Sequence, residues 1–192
     1  MRCPARGFSL LEMLLVLFVI VVLTSLVTLN VGSGSGGREL QRQLRSLRDV
    51  AEYALDEAQY SGRDFGLLLQ RAVGDDGGGE LWLRWRERLP QGWRAPQRSR
   101  EVFRDIRVPA GVELELLLDG SAVLPADAAA AAERAGVEPQ WLFLASGETQ
   151  SGEMLWRRAQ DGALLWRMDW DPLGRIRLYA GDDPDALATA PL

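Results

Sequence analysis

The chain has 192 residues, 22 basic and 27 acidic, for a net charge of −5; every basic residue is arginine and histidine is absent. That acidic balance argues against a general nucleic-acid binder, which carries a basic excess. Without histidine there is no Ser-His-Asp or Cys-His nucleophile and no usual zinc site, and nothing singles out a carboxylate-only site, so neither enzyme activity nor a cofactor is expected.

Residues 1–7 carry Arg2 and Arg6 and no acid. From Phe8 the chain reads FSLLEMLLVLFVIVVLTSLVTL. As a helix rising ~1.5 Å per residue, this run covers a hydrocarbon core of ~30 Å. Residues 8–31 are therefore read as a transmembrane helix in contact with membrane lipid. The arginines before it keep that end cytoplasmic and send the remainder across the membrane. One residue is out of place. Glu12 puts a carboxylate in an apolar span at a cost of roughly 2–3 kcal/mol, so it needs a partner or a purpose. A secretory signal peptide would have a shorter apolar run and a small-residue cleavage site after it, and this stretch has neither. A plain anchor fits the length but leaves Glu12 unexplained.

The order Arg6-Gly7-Phe8-Ser9-Leu10-Leu11-Glu12 resembles the prepilin cleavage motif of the type IV pilin-like superfamily. The resemblance implies that a membrane-bound prepilin peptidase cuts between Gly7 and Phe8 and that Phe8 becomes N-methylated. Residues 1–7 would be the leader. Its loss removes Cys3, the only cysteine, so the domain must hold itself by packing, and it leaves 20 basic residues against 27 acidic. The same resemblance gives Glu12 an assembly role. In a filament of such helices, the new amine on Phe8 and a neighbour's Glu12 would meet in a low-dielectric interior, where opposite charges attract strongly. The pair would set the axial register. The alternative is a carboxylate that reaches the cytoplasmic interface.

Residues 32–37, GSGSGG, are poor helix formers and read as a hinge, a segment that melts on assembly, or a flexible tether. From Arg38 the period becomes helical. Leu40, Leu44, Leu47, Ala51, Ala54 and Ala58 alternate spacings of four and three, while Arg42, Arg45, Arg48, Asp49, Glu52 and Asp56 fall largely on other faces. This predicts an amphipathic helix over 38–62, ended by Ser61-Gly62.

Residues 63–181 then read as a β-domain. Strands are predicted at Phe65–Gln70, Leu81–Arg86, Val102–Val108, Val112–Leu118 and Trp141–Ala145. A meander follows at Met154–Arg158, Ala163–Trp170 and Arg175–Tyr179. In the middle strand of the meander, Leu164, Trp166, Met168 and Trp170 share one face, and Arg167 and Asp169 the other. Leu89–Arg100 reads as loop. Ala126–Ala135 is a helix candidate, with Asp127 as its cap and Gly136 as its stop. Residues 182–192 form an acidic, frayed tail. All seven tryptophans fall between Trp82 and Trp170 and are read as core. Asp75-Asp76 and Asp182-Asp183-Asp185 lack the ligand spacing of a calcium loop and are read as solvated, so no metal is expected.

The whole is α+β: an N-terminal hydrophobic helix continuing into an amphipathic helix packed on an antiparallel sheet or sandwich. Ser61, Gly62, Gly66 and Leu67 resemble the H-type minor pseudopilins of type II secretion. Phe143–Glu148 resembles a later strand and loop of that group, with Ala145 where proline is expected. The resemblance implies a structural subunit of a periplasmic pseudopilus that helps export folded proteins. Its partners would be other minor and major pseudopilins, the prepilin peptidase and the inner-membrane assembly platform. The alternatives are a minor subunit of a type IV pilus, for assembly or DNA uptake, and a membrane-tethered periplasmic binding domain.

Overall fold

The computed structural model describes residues 10–73, 79–127 and 136–181, with helix side chains given for 12–18 and from 37 onward. The leader, Phe8, the loop at 74–78 and the tail from 182, with Asp75, Asp76, Asp182, Asp183 and Asp185, lie outside these residues. The chain divides into two units, Met1–Arg42 and Gln43–Leu192.

Helix α1 runs from Leu10 to Ser61. It passes through residues 32–37 as helical backbone. The energetics allow this. Four glycines cost about 4 kcal/mol relative to alanine. Stopping the helix and nucleating another costs a similar amount, because the nucleation factor is about 10⁻³. The end is as expected: Gly62, at φ 67°, donates to the carbonyl of Ala58 and leaves the helix in the left-handed region.

In the second unit the predicted stripe Leu44, Leu47, Ala51, Ala54 and Ala58 is buried. Loop glycines approach the helix closely. A side chain at Gly174 (φ 73°) would strike Leu55, and one at Gly147 (φ 88°) would press on Gln59.

The first sheet is built around β1 (Phe65–Val73) and β2 (Gly79–Leu89), paired antiparallel from Phe65 with Glu87 to Val73 with Gly79. Two short strands share the far edge of β2: β3 (Gly92–Arg94) and β4 (Ile106–Arg107). Two more share the free edge of β1. These are β7 (Ala126–Asp127), which is parallel, and β8 (Trp141–Phe143), which is antiparallel. The second sheet is wholly antiparallel. Its order is β11 (Ile176–Ala180), β10 (Leu164–Trp170), β9 (Gly152–Arg158), β5 (Val112–Leu118) and β6 (Ser121–Val123).

Three expectations are corrected. Val102–Val108 is strand only at Ile106–Arg107, because the amides of Val102 and Phe103 both donate to Ser99 O in a turn. That turn aims Phe103 inward, where it stacks on Phe65 at 5.2 Å and meets Trp85 at 5.4 Å. The helix candidate does not begin at Ala126, because Ala126 and Asp127 pair with Gln70 and Arg71 as β7, and residues 128–135 lie outside those described. The loop at 89–100 contains β3.

Leu69 lies on β1 between the stretches that pair with β8 and β7. There the Gln140 side chain stands in for a strand. Its Oε1 accepts from Leu69 N at 2.7 Å, and its Nε2 donates to Leu69 O at 3.1 Å. Gln140→Ala leaves a buried amide and carbonyl without partners and should cost about 1–3 kcal/mol, read as a lower urea midpoint at unchanged slope. An unshifted midpoint would mean that water replaces the side chain.

Candidate assembly site

Glu12 lies in the first turn of α1, where the positive end of the helix dipole favours a carboxylate. Its side chain is exposed, and so is the apolar run after it: Met13 to Phe18 are 47% to 63% exposed. Gly7 and Phe8, the predicted cleavage residues, with Phe8 the predicted N-methylation site, lie outside the described residues. Among the described residues no helix is long and apolar enough to cross a membrane, and the side chains of 19–31 within the predicted span are not among them. A carboxylate at a helix start followed by an uncovered apolar surface is chemistry for helix packing. Among the described residues no cluster of three or more His, Cys, Asp and Glu is placed to hold a metal ion.

The β-domain is joined across its two sheets by tryptophan. Trp141 on β8 stacks on Trp170 of β10 at 3.7 Å between centroids and 17° between planes. Trp141 Nε1 donates to Thr149 Oγ1 at 2.9 Å, and that hydroxyl donates to Leu142 O at 2.6 Å. Trp170 Nε1 donates to Gln150 O at 2.6 Å. Six of the seven tryptophans are buried and Trp82 is half-buried, which matches the core reading. The sequence pattern held no signal for this joint, because Trp141 and Trp170 sit on different sheets.

The 143–148 segment is a tight loop on the end of α1. Leu144 N donates to Glu148 O, and Gly147 N donates to Leu144 O, both at 2.9 Å. Ala145 N donates to Asp64 Oδ1 at 3.0 Å. A proline at 145 has no N–H and could not make that bond, so alanine suits this chain's own loop anchor. Gly66, the other glycine singled out, lies under Pro139, whose ring would clash with a Cβ at that position.

Comparison with known proteins adds three findings. Residues 2–28 match the prokaryotic N-terminal methylation motif. Type II secretion system protein H of Pseudomonas aeruginosa is 33% identical over 147 residues, covering 75% of this chain and 78% of that protein. Its namesake in Aeromonas hydrophila is 26% identical over 189 residues, covering 96% and 98%. Among solved structures, the fold is similar to that of the minor pseudopilin EpsH of Vibrio cholerae (TM-score 0.56, 22% identity, 73% of this chain and 93% of that one). It is also similar to E. coli GspH in solution (TM-score 0.53, 14% identity, 78% and 94%).

Proposed function

This chain belongs to the type II secretion system protein H family, and we infer from that membership that it acts as a minor pseudopilin, a structural subunit of the pseudopilus that helps export folded proteins. The observation that carries this reading is the identity to the Pseudomonas aeruginosa protein over most of its length, joined to the N-terminal methylation motif. Its partners in this role are the other minor pseudopilins and the major one. The prepilin peptidase cuts after Gly7 and methylates Phe8, the inner-membrane platform receives the subunit, and lipid surrounds residues 8–31 before assembly. The chain is single-pass, with its N-terminus cytoplasmic and its β-domain periplasmic.

Each role follows from a property of the chain. Arg2 and Arg6 are followed by an uncharged run that is interrupted only by Glu12. That arrangement suits a helix which waits in the bilayer and then packs against other helices. The β-domain has a continuous aromatic core, and its role is structural rather than catalytic.

Intact mass measurement of the membrane-extracted protein tests the processing step. The expected species begins at N-methylated Phe8. A chain that retains Met1, or one that begins beyond Leu29, overturns the pilin-like reading. Loss of the gene should leave folded export substrates in the periplasm, and unimpaired secretion would count against the pseudopilus role.

A further inference from the structure

Strand β2 turns Leu83, Trp85 and Glu87 inward. Its opposite face carries Trp82, Arg84, Arg86 and Arg88, with Trp93 beside Arg88 on β3. Alternate residues on a strand stand about 6.7 Å apart, so the three arginines leave β2 in a line. The Arg84 guanidinium lies over the Trp82 ring at 5.5 Å, and that of Arg88 over Trp93 at 5.7 Å. Arg86 is fixed by donating to Trp85 O at 2.7 Å.

These cations are weakly compensated among the described residues. Arg84 Nε stands 3.8 Å from Asp105, and Arg88 Nη1 stands 3.9 Å from Asp64. Both distances are too long for the short charge-assisted hydrogen bonds that carboxylates make to arginine. Arg84 Nε is also a buried donor without a hydrogen-bond partner among the described residues. Burial pulls the Arg86 guanidinium below its ordinary pKa, Asp105 opposes that, and Arg84 adds to it. Arg84 and Arg88 are reachable, with side chains 31% and 58% exposed, and Arg86 between them is half-buried.

We propose that the Arg84-Arg86-Arg88 stripe docks an extended acidic segment of a partner protein, with carboxylates at alternate residues. Such a segment repeats at the same ~6.7 Å spacing as the arginine positions along β2, so successive carboxylates fall opposite successive arginines. A single phosphate matches poorly, because the arginines leave β2 in a line. Single-stranded nucleic acid needs free aromatic faces for its bases. Here Arg84 and Arg88 already cover Trp82 and Trp93, and the chain is acidic overall.

The test uses the full-length protein in detergent micelles and a fluorescein-labelled peptide of alternating glutamate and threonine. Anisotropy should show saturable binding that weakens as salt rises. Arg88→Gln should weaken it about threefold, and Arg84→Gln with Arg88→Gln about tenfold. Arg98→Gln with Arg100→Gln, on the neighbouring loop, should change it less than twofold. Arg88 is more exposed than Arg84, so its single variant keeps the test valid if the double variant misfolds. The proposal is overturned by absence of saturable binding, by equal binding of a glutamine–threonine peptide, or by an equal loss in the Arg98 and Arg100 variant. Tighter binding of oligothymidylate than of the peptide would also overturn it, and would mark a nucleic-acid surface instead.

Discussion

Trp141→Ala is expected to remove about 4–5 kcal/mol of stability, the largest loss from any single truncation in the β-domain. Trp141 is fully buried and among the bulkiest side chains in the core. Truncation removes its apolar burial and leaves a cavity between the sheets. The 3.7 Å stack on Trp170 goes with it, which is worth about 1 kcal/mol beyond area. Thr149 Oγ1 loses its indole donor as well. Domains of this size have a total stability of roughly 5–15 kcal/mol, so a large part of the native population is at risk. Urea denaturation of the full-length protein in detergent, followed by tryptophan fluorescence, measures the effect. Trp141→Phe separates the contributions, since a smaller ring keeps part of the stack and loses the N–H. It should cost less than half as much. If Trp141→Ala costs under about 1 kcal/mol, the two sheets are held elsewhere and the stack is incidental.

The joint at Trp141 marks the limit of what the residues reveal in one dimension. Local periodicity carried the helix stripe from Leu44 to Ala58, the stop at Ser61-Gly62, and the alternation of Trp166, Met168 and Trp170 along β10. It also gave the bounds of β5, because Pro109-Ala110-Gly111 and Asp119-Gly120 are turn chemistry. Asp119 and Gly120 have φ values of 49° and 78°, as a two-residue hairpin turn requires. Periodicity failed wherever a distant partner decided the outcome. Val102–Val108 alternates like a strand, but Phe103 is drawn to Phe65, Trp85 and Tyr53, and the chain bends to place it. Gln140 reads as an ordinary loop polar residue until β1 is seen to lack a neighbour at Leu69. The Gly/Ser run is helical for another reason: residue propensity counts what a helix loses by continuing through glycine, and not what it loses by stopping. The N-terminal site was legible as a motif of adjacent residues, since its chemistry depends on order along the chain rather than on folding.

Glu12→Leu is expected to give a processed, membrane-held subunit that fails to assemble. On transfer energy alone the substitution makes a better anchor, by roughly 2–3 kcal/mol, so insertion should survive. Processing should continue too, because the proposed cut lies between Gly7 and Phe8, before the altered position. What changes is the proposed filament contact. A neighbour's Phe8 amine would enter the packed helices without its carboxylate, and removing one partner of a buried pair costs about 3–5 kcal/mol. At 1.4 kcal/mol per tenfold, that lowers docking by at least about a hundredfold. Site-specific crosslinking can read this, because cleavage would remove the only cysteine, Cys3, so that one introduced in the β-domain is the sole thiol of the mature chain. Crosslinks to sibling pseudopilins should vanish, and secretion should fall steeply. Glu12→Gln should behave like Glu12→Leu, since it keeps the volume and hydrogen-bonding capacity but not the charge. Glu12→Asp should retain partial function, since the charge remains on a shorter arm. Three outcomes then separate three readings of this residue. Loss in both neutral variants supports the ion pair. Loss in Glu12→Leu but not Glu12→Gln points to a neutral hydrogen bond instead. Wild-type crosslinking and secretion in Glu12→Leu would show that Glu12 sets no register and is an interfacial carboxylate that the helix tolerates.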